Sequence, residues 1–211
     1  EAVSMEWDIG VVVYEPKDQN RIPLGADGKK RGIFLIHGGT GDWRSLDNAA
    51  RLASERFGYK VVSMTFPGRL NLDDSSRDWP RDTFNDDGNH RTPKWLRDED
   101  ITPDQYEVVM DKGDIKTGVP ARYGTSIFLA AKEGTIFYNR MAGWPVAFEE
   151  GMKAALSRHF PIEDYSVYAH GHSTGGPFIH YISQRVDNLK GIVGYGTALF
   201  GYMNHASGSR F

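Results

Sequence analysis

The chain has 211 residues, no cysteine, and 25 basic against 28 acidic side chains, a formal net charge of -3. Without cysteine it holds no disulfide, no thiolate metal site and no cysteine nucleophile. A slightly acidic balance gives no electrostatic reason to expect nucleic acid or an anionic membrane as partner. A chain of this length buries roughly 70% of its unfolded surface, enough for one domain with an elaboration, and its apolar runs are too short to span a bilayer.

Residues 6–15 (EWDIGVVVYE) are β-branched and aromatic and read as strand. A polar stretch with Pro23, Gly25 and Gly28 reads as turns. GIFLIHGG, residues 32–39, holds a continuous apolar run that fits a strand covered on both faces, as in a parallel sheet. SLDNAARLASERF, residues 45–57, spaces Leu46, Ala49, Ala50, Leu52, Ala53 and Phe57 as a helix does, with Ser45 as N-cap and Gly58 as C-cap. YKVVSMTF, residues 59–66, is a second buried-type strand, stopped by Pro67-Gly68.

Residues 69–142 are highly charged and carry little periodicity until about residue 125. They are too long for a plain loop in a compact domain and read as an inserted lid or subdomain with short elements. A helical pattern resumes at about Trp144 and ends at Pro161. Residues 165–173 (YSVYAHGHS) form the next strand, 174–186 the next helix, and 189–200 (LKGIVGYGTALF) a further strand. Strands alternating with helices imply βαβ units. The expected fold is α/β: a mainly parallel sheet with helices on both faces, built from 1–68 and 143–211, with 69–142 inserted.

The chemistry concentrates at Gly171-His172-Ser173-Thr174-Gly175. A nucleophilic serine on a sharp strand-to-helix turn needs small residues two positions before and two after it, so that strand and helix can approach. Gly171 and Gly175 fill those places between an expected strand and an expected helix. The Thr174 amide, at the helix start, would face a developing oxyanion, and the helix dipole would favour negative charge there. A second donor commonly comes from a loop after an early strand of the same sheet. His37-Gly38-Gly39-Thr40-Gly41 offers Gly39, with Gly38 and Thr40 as neighbours that could serve instead. His37 is expected to brace that loop. Gly38, Thr40, His172 and Trp43, four residues past Gly39, are candidates for the substrate pocket.

The segments FLIHGGTG at 34–41 and VYAHGHSTGG at 167–176 resemble the α/β-hydrolase superfamily, and the strands at 61–66 and 192–198 fall where that family would place them. The resemblance covers the chain apart from 69–142. It implies Ser173 as nucleophile, with the amides of Gly39 and Thr174 as oxyanion hole, and hydrolysis of a small-molecule ester, lactone or thioester. It requires no cofactor and no metal. Acyl transfer on the same fold and a non-catalytic small-molecule binding protein are the alternatives.

The family's order of nucleophile, acid, histidine is not completed. After Ser173 come only Asp187, ahead of the last strand, and the histidines His180, inside a helix, and His205 in the tail. The sheet reads as incomplete. The expectation is a companion polypeptide, or a missing C-terminal segment, that supplies acid and base. The chain begins at Glu1 rather than Met and reads as a processed product or fragment, cytoplasmic or exported. The acidic run TFNDDGNH suggests calcium, but its spacing does not match a calcium-binding loop.

Overall fold

The structure, a computed structural model, describes residues 9–38, 43–67, 102–111 and 126–196. The chain divides into two compact units, Trp7–Ser75 with Pro145–Phe211, and Glu1–Glu6 with Ser76–Trp144.

The first unit is built on a five-stranded sheet. Its strands are β1 (Val11–Tyr14), β2 (Lys30–Ile36), β3 (Lys60–Met64), β6 (Tyr165–His172) and β7 (Leu189–Tyr195), in the spatial order β1-β3-β2-β6-β7. β1 runs antiparallel to β3 and the other pairings are parallel. This is a mixed α/β fold with a mostly parallel sheet. The strands follow from composition: Phe34, Leu35, Ile36, Val61, Val62 and Met64 are buried, as apolar runs covered on both faces must be.

Alternation along β2 sends side chains to opposite faces. On one face Leu35 joins Tyr14, Ala50 and Val61, with Ile33, Trp43, Leu46 and Ala53 packed against them; this cluster seats α1 (Asp47–Arg51). On the other face a Cβ at Gly32 would lie 2.5 Å from the Phe160 ring, which follows α2 (Ile136–His159). There Phe66, Phe148 of α2 and Phe178 of α3 (Gly175–Ser183) meet with ring centroids 4.9–5.7 Å apart. Helices therefore cover both faces.

The helix expected at 45–57 is irregular. Ser45 lies inside a 3₁₀ turn, Trp43–Leu46, so it does not cap; the cap position falls on Leu46 and has no side-chain bond. After α1 the ladder widens to π-helical spacing over Leu52–Arg56. It stops at Gly58, whose φ of +78° suits glycine and whose Cα backs onto the Arg21 carbonyl.

In the second unit β4 (Tyr106–Asp111) and β5 (Ser126–Ala131) pair antiparallel as a separate two-stranded sheet, preceded by a 3₁₀ turn at Pro103–Gln105. α2 begins here, earlier than the sequence pattern suggests. Thr135 Oγ1 accepts the Tyr138 amide at 3.2 Å, and the Gln105 side chain accepts the Phe137 amide at 3.0 Å. Those bonds satisfy amides that a helix start otherwise leaves open. Pro145 lies inside α2. No helix among the described residues is long and apolar enough to cross a membrane.

Candidate active site

β2 and β6 lie side by side, paired from Lys30 with Tyr165 to Ile36 with Gly171. Beyond their carboxyl ends the chain leaves β2 toward α1 on one face and β6 toward α3 on the other. Where neighbouring parallel strands send their connections to opposite faces, a crevice opens at their carboxyl ends.

Ser173 stands at that point. Its φ is +50°, and it is the non-glycine residue with positive φ among those described. An L-residue pays roughly 1 kcal/mol or more to adopt this conformation, so the surrounding contacts must impose it. A Cβ on Gly171 would collide with the Gly175 carbonyl and lie 2.7 Å from the Gly176 nitrogen. One on Gly175 would lie 2.7 Å from the carbonyl oxygens of both Ile36 and His37. Strand, turn and helix thus touch backbone to backbone. The Ser173 amide donates to the Tyr195 carbonyl at 2.8 Å, and its carbonyl accepts the Gly176 amide at 3.0 Å. With its own amide committed to β7, Ser173 is not an anion donor. Thr174 precedes α3 in helical conformation (φ -55°, ψ -30°) and gives no side-chain cap, so the first-turn amides are not masked by it.

The loop after β2 reaches the same spot. A Cβ on Gly38 would sit 3.2 Å from Ser173 Cβ and 3.1 Å from His172 Nδ1. The His37 side chain is fully buried. Its Nε2 lies 3.2 Å from the Phe66 amide and its Nδ1 2.6 Å from the Gly38 carbonyl. An amide only donates and a carbonyl only accepts, so these partners assign the neutral ring protonated on Nδ1. The Phe66 ring meets it edge-on at 4.6 Å.

His172 is half-buried, its ring 5.5 Å from Tyr195 and tilted by 31°. His170, two residues back on the same face of β6, has its Nε2 buried without a hydrogen-bond partner. Burial pushes the His170 imidazole pKa down, and the neighbouring His172 adds to the effect.

The sequence candidates distribute as follows. Ser173, Thr174, Gly38 and His172 come together. Trp43 packs instead into the cluster of Tyr14, Leu35, Ala50 and Val61 on the α1 face. Gly39, Thr40, His205 and the acidic run at 83–90 lie outside the described residues. His180 holds the Gly176 carbonyl with Nδ1 at 2.9 Å, within its own helix. Asp187 is exposed ahead of β7. Because β7 runs parallel to β6 from Val167–Leu189 onward, Asp187 stands at the far end of the sheet from Ser173. Sequence reasoning missed the Tyr195 carbonyl and Phe66 amide as partners, since long-range backbone contacts carry no residue-type signal. Among the described residues no group of three or more His, Asp or Glu is placed to hold a metal ion.

No family model and no curated protein matches the chain. Among solved structures it is similar to MenH from S. aureus, at 12% identity and a TM-score of 0.44, over 89% of this chain. The chain spans 42% of that protein's length.

Proposed function

We propose that this chain carries the nucleophile of a serine hydrolase acting on a carboxylic ester, a lactone or a thioester. The observation that supports it is Ser173, held at φ +50° on a turn whose flanking glycines admit no Cβ. Strain of this kind, imposed by contacts on several sides, marks functional turns.

In this reading Ser173 Oγ attacks the substrate carbonyl carbon while a histidine takes the hydroxyl proton. The carbonyl oxygen becomes an oxyanion held by the amides of Thr174 and Gly39. Collapse expels the alcohol, which takes the proton from the histidine. Water then attacks the acyl-serine with the same histidine as base, releasing the acid and restoring Ser173. The histidine and its orienting carboxylate come from residues outside the described ones or from a companion polypeptide. His37 and His180 are committed to backbone groups and are not assigned the role.

A fluorophosphonate probe tests the reading. The expected result is a single adduct, located on Ser173 by peptide mass spectrometry and lost in Ser173→Ala. An unlabelled wild-type protein, or an adduct elsewhere, overturns it. The second reading, a small-molecule binding protein of the same fold, draws on those committed imidazoles and predicts no labelling. An acyltransferase would label equally; with an acyl ester as donor substrate in place of the probe, added alcohol or thiol acceptors would then accelerate release of the acyl group from Ser173.

A further inference from the structure

Tyr195, the last residue of β7, is 63% exposed. Its backbone is nevertheless fastened to the turn, because its carbonyl accepts the Ser173 amide at 2.8 Å. We propose that Tyr195 is a specificity-determining residue of the candidate site: its ring, braced by the His172 and His170 imidazoles and tied through the backbone to Ser173, is a stacking platform for an aromatic group on the substrate. The inference rests on the serine-hydrolase reading and narrows its substrates to esters, lactones or thioesters that carry a planar aromatic ring near the scissile carbonyl.

Tyr195 pairs with His172 across β6 and β7, so the two side chains leave the same face of the sheet. Their ring centroids lie 5.5 Å apart with planes tilted by 31°, and the His170 ring meets Tyr195 edge-on at 6.0 Å. Aromatic rings attract at such distances, so two imidazoles hold the phenol in place. His172 is itself confined. A Cβ on Gly38 would lie 3.1 Å from its Nδ1, and one on Gly196 would lie 3.4 Å from its Nε2. The chain after β2 and the chain after β7 therefore close on the imidazole from two sides. The same Gly38 position lies 3.2 Å from Ser173 Cβ, which sets this group of rings beside the nucleophile. Packing on the imidazoles leaves most of the Tyr195 side chain to solvent. Val193, two residues back on the same face, is exposed as well, so apolar surface continues from Tyr195 along β7. A ring already held needs no ordering when a ligand arrives. A flat ring stacked on it gains attraction beyond the area it buries, whereas a puckered saturated ring of similar size gains the area alone.

That difference is measurable with two fluorophosphonates, one carrying a benzyl group and the other a cyclohexylmethyl group on phosphorus. The readout is the second-order rate of labelling at Ser173 in the full chain, each rate divided by that probe's hydrolysis rate in buffer. The wild-type protein is expected to favour the benzyl probe by about fivefold, the scale of one aromatic pair. Tyr195→Phe should keep the preference, because the ring face and not the hydroxyl supplies it. Tyr195→Leu should lower the benzyl rate about fivefold more than the cyclohexylmethyl rate, bringing the two together. A merely structural role would slow both probes alike and leave their ratio unmoved. Should Tyr195→Leu not fold, Tyr195→Ile serves as the non-aromatic variant, since a branched side chain suits a strand. Equal rates for the two probes in the wild type, a preference that survives in the non-aromatic variant, or one lost in Tyr195→Phe overturns the proposal and leaves the serine-hydrolase reading intact. A wild type that neither probe labels overturns that reading and the proposal with it.

Discussion

The two ends of the β2–β6 strand pair are built on opposite principles. At the amino end the chain is tied by side chains: Asp27 accepts from the Ser166 hydroxyl at 2.7 Å and pairs with Arg31 at 3.1 Å. The Lys30 amide donates to the Asp164 carbonyl and the Arg31 amide to that of Pro23. Among the described residues at that end the one positive φ belongs to Gly28, a conformation glycine adopts freely. At the carboxyl end, seven residues on, side chains are absent where strand and helix meet, and Ser173, half-buried at the bend, sits in a disfavoured conformation. The same two strands are fastened at one end and forced at the other. The forced end carries the candidate chemistry because a reactive group must be pushed out of the packing that would otherwise satisfy it.

Glycine substitutions sharpen this contrast most. Gly175→Val is expected to cost about 3 kcal/mol, the upper range of overpacking, because the atoms it meets are the fixed carbonyls of Ile36 and His37. It should abolish labelling at Ser173 as well. At the other end Gly28 has φ +74° and open space around its Cα, so Gly28→Ala should cost only about 1 kcal/mol of backbone strain and leave labelling intact. Urea midpoints with unchanged slopes would measure both; similar losses at the two glycines would erase the distinction. Ser173→Gly is the converse test. Removing the Cβ from φ +50° should stabilise the protein by about 1 kcal/mol while ending all reactivity. A variant less stable than wild type would mean that the bend does not store strain.

How much of this could be read in the chain depended on the range of the interaction. β2 and β3 were visible as apolar runs such as Ile33–Ile36, because a strand covered on both faces must be largely apolar. The elbow was visible because Gly171 clears space for Gly175 and Gly176 only a few residues away, whereas the room that Gly175 leaves for Ile36 and His37 is long-range. The start of α2 was hidden: Thr135 caps it locally, but Gln105 adds a side chain from far away in sequence. The π-helical widening at Leu52–Arg56 keeps an apolar pattern that looks α-helical. Trp43 looked like a pocket residue from its distance to Gly39, whereas it is the packing of Leu35 and Val61 that claims it.

Titration separates the two ends at smaller amplitude. Near the site, His170 resists its proton in the folded state, through burial first and His172 second. The unfolded chain takes that proton near the ordinary value of 6.5, so it binds more protons than the folded chain just below that pH, and stability falls as pH drops from 6.5 toward 5. His170→Leu should flatten that fall in urea midpoints taken at pH 7.5, 6 and 5. A residual slope is expected from His159, whose pKa is lowered by burial and by Lys60 and Arg158. An unchanged slope would show that His170 is solvated.

The smallest effect belongs to the fastened end. The Ser166 hydroxyl first, then the Lys29 amide and the Arg31 guanidinium, hold the Asp27 carboxyl at about 2, below its ordinary 3.8. A depressed carboxylate contributes its stability in full above 3.8 and loses it as pH falls toward 2. Asp47, Asp104 and Glu149 are depressed too, so Asp27→Asn should reduce the acid-side loss of stability without removing it. Because Asp27 sits at the far end of β2 and β6 from Ser173, the labelling rate at neutral pH should not change. A slower rate in Asp27→Asn would mean that the two ends of the strand pair are mechanically coupled, and that the fastened end helps to hold the forced one in place.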